Sequence, residues 1–151
     1  MPGWQITLIA VAAAVVAAAV LSSLPPPAKA LATAGSAIGH VGPGPVNETV
    51  DKNGYHIVVR VSPNRAAAPN AFTLQITKGG KPVSHANVIA GFSMLDMEMG
   101  TQSYVMSEKE PGLYARSAPA LVMVGHWGLS FEITPAGQQP FTIVFVDRTT
   151  G

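Results

Sequence analysis

The chain has 151 residues, a formal net charge of +1 and only 11% charged residues. That length suits one domain with a tail or anchor, and so even a charge leaves no clustered basic face for nucleic acid. Cysteine is absent, which excludes a disulfide framework, a thiolate metal site and a cysteine nucleophile.

The first element in chain order is apolar. Trp4–Leu24 (WQITLIAVAAAVVAAAVLSSL) carries no charge, and its length matches the ~20 residues that cross a bilayer as a helix. Small-residue triplets such as Ala28-Lys29-Ala30 follow it, so the segment reads as an uncleaved anchor or as a cleaved export signal. Either reading places the rest of the chain outside the cytoplasm, in the periplasm or on the outer face of the membrane. Residues 25–46 are rich in Pro, Ala and Gly without periodicity, the composition of a linker. Residues 47–151 are then the folded domain, with residues 1–24 as anchor or signal.

Within that domain strand patterns arrive at short intervals. Tyr55–Val61 is rich in β-branched residues and follows an Asn53-Gly54 turn. Phe72–Thr77 alternates, with Phe72, Leu74 and Ile76 on one face, and ends at Gly79-Gly80-Lys81-Pro82. Ala86–Met94 aligns Ala86, Val88, Ala90, Phe92 and Met94. Gln102–Ser107 and Leu113–Ala118 flank a Glu110-Pro111-Gly112 turn. Trp127–Thr134 aligns Trp127, Leu129, Phe131 and Ile133, and Phe141–Val146 is apolar on both faces. About seven short strands with turns between them, and no helical pattern after the N-terminal segment, predict an all-β antiparallel sandwich with Trp127 in its core; a small barrel is the competing architecture.

The distribution of methionine is uneven. All but the initiator lie between Met94 and Met123, whereas a residue that only filled core gaps would scatter across the strands. Met94 continues the inward row of Phe92 and reads as core. Met97 and Met99 lie beyond that row, interleaved with Asp96 and Glu98; in an extended segment they share one face while the two acids point to water. Met106 reads equally as core or rim, and Met123 leans to the core. His126, in Met123-Val-Gly-His-Trp127, has parity opposite to Trp127 and lies at the start of its strand, facing outward or onto the rim. His40, His56 and His85 are remote from methionine and read as ordinary histidines. Thioethers with one imidazole form a soft site, and soft ligands select Cu(I). Met97, Met99, Met106 and His126 are therefore expected to converge at one end of the sandwich, with Met94 or Met123 as substitutes. A thioether has no proton to lose, so only a histidine contribution should weaken in acid, around pH 6.5 for an ordinary imidazole.

These motifs resemble the YtkA-like (FixH/YtkA) family of small exported domains. The resemblance runs from about Phe72 to Val146. It is carried by Gly80-Lys-Pro-Val83 with Ala86-Asn-Val88, by Met94-x-x-Met97-x-Met99, by Pro111-Gly-Leu-Tyr114, and by Met123-Val-Gly-His-Trp127. It implies an immunoglobulin-like fold, a role in copper binding or copper-enzyme assembly, and a membrane partner such as a copper transporter or an assembly protein. No nucleophile–base pair can be argued from the spacing, so a binding protein is expected rather than an enzyme. The rival expectation is an interaction module whose methionine loop docks a membrane partner, since methionine-rich surfaces suit adaptable binding.

Overall fold

Asn53 and Gly54 have φ of 53° and 79°, the left-handed pair that a two-residue hairpin turn requires. They join Val46–Lys52 (β2) to Tyr55–Ser62 (β3) in antiparallel register, with Lys52 opposite Tyr55 and Val46 opposite Val61. An Asn-Gly turn implies a strand on each side. The polar VNETVDK stretch ahead of it is an edge strand that the apolar pattern did not reveal. The computed structural model describes residues 38–40 and 44–151, so the predicted N-terminal segment lies outside the described residues.

The remaining strands are Ile38–His40 (β1), Asn70–Lys78 (β4), Lys81–Pro82 (β5), Asn87–Met94 (β6), Thr101–Val105 (β7), Ser107–Glu110 (β8), Leu113–Ala118 (β9), Gly125–Thr134 (β10) and Phe141–Thr149 (β11). Six of the seven predicted strands are present as single strands. The span read as Gln102–Ser107 is divided at Met106 between β7 and β8. β1 falls inside the span read as linker and pairs in parallel with β11; the other pairings are antiparallel. There is no helix among the described residues, and none of these is part of a helix long and apolar enough to cross a membrane.

The strands form two sheets, one ordered β1-β11-β10-β6-β7 and the other β2-β3-β4-β9-β8 with β5 on β4. Alternation explains why the sheets face one another. Alternate residues of β3, β4, β6, β10 and β11 are buried, and apolar apart from Asn70 in β4 and Asp147 and Thr149 in β11, and an apolar face on each sheet leaves water only by packing on the other. Phe72 of β4 meets Phe92 of β6 across the gap with ring centroids 4.6 Å apart, and Tyr55 of β3 stacks on Phe141 of β11 at 4.9 Å. The predicted inward rows are buried, apart from Ala86, which precedes β6 and is half-buried: Phe72, Leu74 and Ile76; Val88, Ala90, Phe92 and Met94; Trp127, Leu129, Phe131 and Ile133.

Strand direction then defines two ends. One gathers the end of β6, the start of β10, the end of β11 and the segments that follow β3 and β9. Hydrogen bonds tie it together: Ala66 N–H donates to Thr150 O and Ala67 N–H to Leu121 O, each at 2.9 Å. The opposite end holds the β2–β3 turn, β5, the start of β6 and the β8–β9 turn.

Candidate metal-binding end

β6 and β10 pair with Met94 opposite Trp127, and Leu95 N–H extends the ladder by donating to His126 O at 2.8 Å. Beyond it residues 95–97 bend, which turns the Asp96 side chain back onto β10. Its carboxylate accepts the His126 backbone N–H at 2.8 Å through Oδ2, and Nδ1 of the His126 ring lies 3.0 Å from Oδ1 and 3.2 Å from Oδ2. The expectation of an extended segment is therefore corrected: Asp96 is exposed, as expected, but the bend brings its carboxylate to the histidine. The backbone N–H of His126, foremost, and then its ring hold the Asp96 carboxyl below the usual carboxylate range, and Arg148, opposite His126 on β11, adds to this. An ionised carboxylate only accepts hydrogen bonds, so Nδ1 is the donor. Nε2 has no hydrogen-bond partner among the described residues, and the ring is 51% exposed.

Gly125 is what allows the approach. Its φ of +147° disfavours a side chain, and a Cβ there would stand 2.5 Å from both Asp96 Oδ2 and the Met94 methyl carbon. It is the first residue of β10, paired with Thr149. Behind it, Met123 O accepts from Trp127 Nε1 and from Thr149 Oγ1, each at 3.0 Å. The strand that carries His126 thus has a firm base.

The methionines divide. Met97 and Met99 lie one and three residues past Asp96 and are 51% and 44% exposed, with Glu98 exposed between them. Met94 is buried under Gly125 and Met123 is half-buried against the core. These four and His126 occupy one end of the sandwich. Met106 does not join them. It is 4% exposed, and its N–H donates to Val88 O at the start of β6, six residues or about 20 Å of strand from Met94. The expected convergence is corrected for this residue. Parity could not say at which end β7 begins, and β7 starts beside Ser93 and finishes beside Ile89.

Leu95, Val122 and Val124 are also exposed at the end that holds His126, so the thioethers sit in an apolar rim. The other histidines with described side chains are elsewhere. His56 lies 2.7 Å from Asp51 and His85 3.6 Å from Glu108, both toward the opposite end. No group of three or more His, Asp and Glu side chains placed to hold a metal occurs among the described residues. A metal at this end would thus rest on thioether sulfur with one imidazole.

Two solved structures share the fold at low identity. FetP of uropathogenic Escherichia coli strain F11, as isolated, aligns with a TM-score of 0.51 at 15% identity, over 73% of this chain and 99% of that chain. A copper-bound variant of the same FetP aligns with a TM-score of 0.51 at 14% identity, over 74% of this chain and 94% of that one. Among curated protein sequences none matches the chain. The YtkA-like pattern matches residues 49–132, which starts earlier and stops sooner than the stretch that carried the resemblance. It spans more than half of the 151 residues, and the chain belongs to the YtkA-like family.

Proposed function

We propose that this protein binds copper outside the cytoplasm as cargo, sequestering or delivering it, and that it is not an enzyme. One observation carries the reading: His126 has Nδ1 engaged by Asp96 and Nε2 open, on the same loop contact that presents the exposed thioethers of Met97 and Met99. The donor set fits the ion. Both donors are neutral and the thioethers are soft, and it is the thioethers that favour Cu(I) over Cu(II) and zinc. Copper bound to a FetP variant of the same fold supports the reading, as does family membership. Export rests on the apolar Trp4–Leu24 segment, and FetP itself was produced in the periplasm. A membrane copper transporter or a copper-enzyme assembly protein is the partner such a carrier would serve.

A second reading has its own observation. Leu95, Met97, Met99, Val122 and Val124 form an exposed apolar rim of the kind that docks a protein partner, without need of metal. Titration of the full chain with Cu(I) under reducing conditions decides between the two. The copper reading expects binding in the wild type and a sharp loss of affinity in the Met97→Leu/Met99→Leu double variant. A wild type that never binds Cu(I), or a folded double variant that binds it as before, leaves the docking module as the function.

A further inference from the structure

We propose that Asp96 is a positioning residue that locks the His126 ring in the tautomer protonated at Nδ1, so that Nε2 presents its lone pair to the cargo, and that Gly125 is the residue that admits this lock. The copper part of this inference rests on the proposed function; the ring chemistry does not.

The geometry is two-pronged. One Asp96 oxygen takes the His126 backbone N–H at 2.8 Å and the other faces ring Nδ1 at 3.0 Å, so the carboxylate is itself oriented by the main chain before it meets the ring. A neutral imidazole carries one proton, and a carboxylate partner can only be answered by a donor at Nδ1. The proton is thereby withdrawn from Nε2. A histidine whose second nitrogen is fixed by a carboxylate is both oriented and made a better ligand. Both prongs depend on the closeness of the bend to β10, and a Cβ on Gly125 would meet Asp96 Oδ2 at 2.5 Å.

An isosteric change reverses the lock. In Asp96→Asn the amide oxygen still accepts the His126 backbone N–H, which leaves the amide nitrogen as a donor toward Nδ1. The ring proton then moves to Nε2 and blocks it, with the shape of the loop retained. Gly125→Ala reaches the same ring by another route, pushing the carboxylate away while keeping its charge.

Long-range proton–nitrogen NMR spectra of the metal-free full chain, at a pH where the ring is neutral, report which nitrogen of His126 is protonated. The wild type is expected to be protonated at Nδ1, Asp96→Asn at Nε2, and Gly125→Ala to lose the strong Nδ1 preference. The Trp127 indole resonance reports whether each variant keeps the wild-type core. Protonation at Nε2 in the wild type overturns the proposal without any variant, and so does an unchanged tautomer in a folded Asp96→Asn. Cu(I) affinity is expected to fall about 10–100-fold in Asp96→Asn, the usual cost of losing a partner of a metal-ligating histidine. A switched tautomer with unchanged Cu(I) affinity overturns the positioning role. A wild type that shows the Nδ1 tautomer but binds no Cu(I) sinks the proposed function and leaves the lock itself standing.

Discussion

The two ends of the sandwich use the same device for opposite purposes. At the end formed by the β8–β9 turn, Glu108 accepts the backbone N–H groups of His85 at 3.0 Å and Gly112 at 3.2 Å, and these contacts, the His85 bond foremost, hold its carboxyl below the usual range. Beside it the buried Tyr114 hydroxyl donates to Val83 O at 2.7 Å and accepts from Ala86 N–H at 2.9 Å, while burial pushes its own pKa up. Gly112 packs against Ile76 so closely that a Cβ would lie 2.7 Å from the Ile76 carbonyl oxygen. These groups close the end on itself. At the other end Asp96 likewise accepts a backbone N–H, but its second oxygen goes to an imidazole, and around it sulfur and aliphatic groups stay exposed. Of the motifs that carried the resemblance, Pro111-Gly-Leu-Tyr114 is architectural, and the bend after Met94 with the start of β10 has chemistry to spare.

That contrast can be broken most forcefully at Trp127, which lies under the open end at 1% exposure. Trp127→Ala should destabilise the domain by about 3–5 kcal/mol, the usual cost of deleting a core aromatic, in denaturant unfolding followed by far-ultraviolet circular dichroism. A loss below about 1 kcal/mol would mean that the strand carrying His126 is not anchored as described.

Tyr114→Phe tests the closed end. It leaves Val83 O and Ala86 N–H without their partner, so a cost of about 1–3 kcal/mol is expected. Cu(I) affinity should not change. Should that affinity collapse while the domain stays folded, the two ends are coupled and the division of labour drawn above is wrong.

Acid should loosen both ends. Asp96 and Glu108 have folded pKa values below those of the unfolded chain, so the stability they contribute is fully present above the ordinary carboxylate range of about 4. It is lost as pH falls through the depressed folded values. Amide resonances of His126 on one side and of His85 and Gly112 on the other should shift together with their carboxylate in that acid window. Asp96→Ala should abolish only the first response and Glu108→Ala only the second; crossed effects would refute two independent carboxylate clamps.

The smallest stability effect belongs to the methionine loop. Met97→Leu/Met99→Leu keeps apolar volume at exposed positions, so unfolding should shift by less than about 1.5 kcal/mol, while Cu(I) affinity carries the whole response. A larger loss of stability would show that these side chains hold the loop in place.

Strand positions and inward rows were legible because a period of two in apolar residues survives wherever a face is buried, as at Phe72-x-Leu74-x-Ile76 and Trp127-x-Leu129-x-Phe131. β2 was not legible for the complementary reason: an edge strand that keeps most of its side chains in water has little apolar pattern, and only its Asn-Gly turn betrays it. β1 is three residues long and owes its existence to β11 rather than to its own composition.

The sequence by itself determined an all-β domain, a buried Trp127, and a cluster of methionines followed by a histidine, because composition and alternation are local properties. Only the tertiary structure decided which of those side chains meet. Met106 and Met97 are near in sequence, yet the direction of β7 carries Met106 to the closed end. Asp96 and His126 are 30 residues apart, and the pairing of β6 with β10 makes them neighbours. Proximity across strands depends on register and on one glycine that lets two backbones close, and neither is written in the spacing of the residues that finally touch.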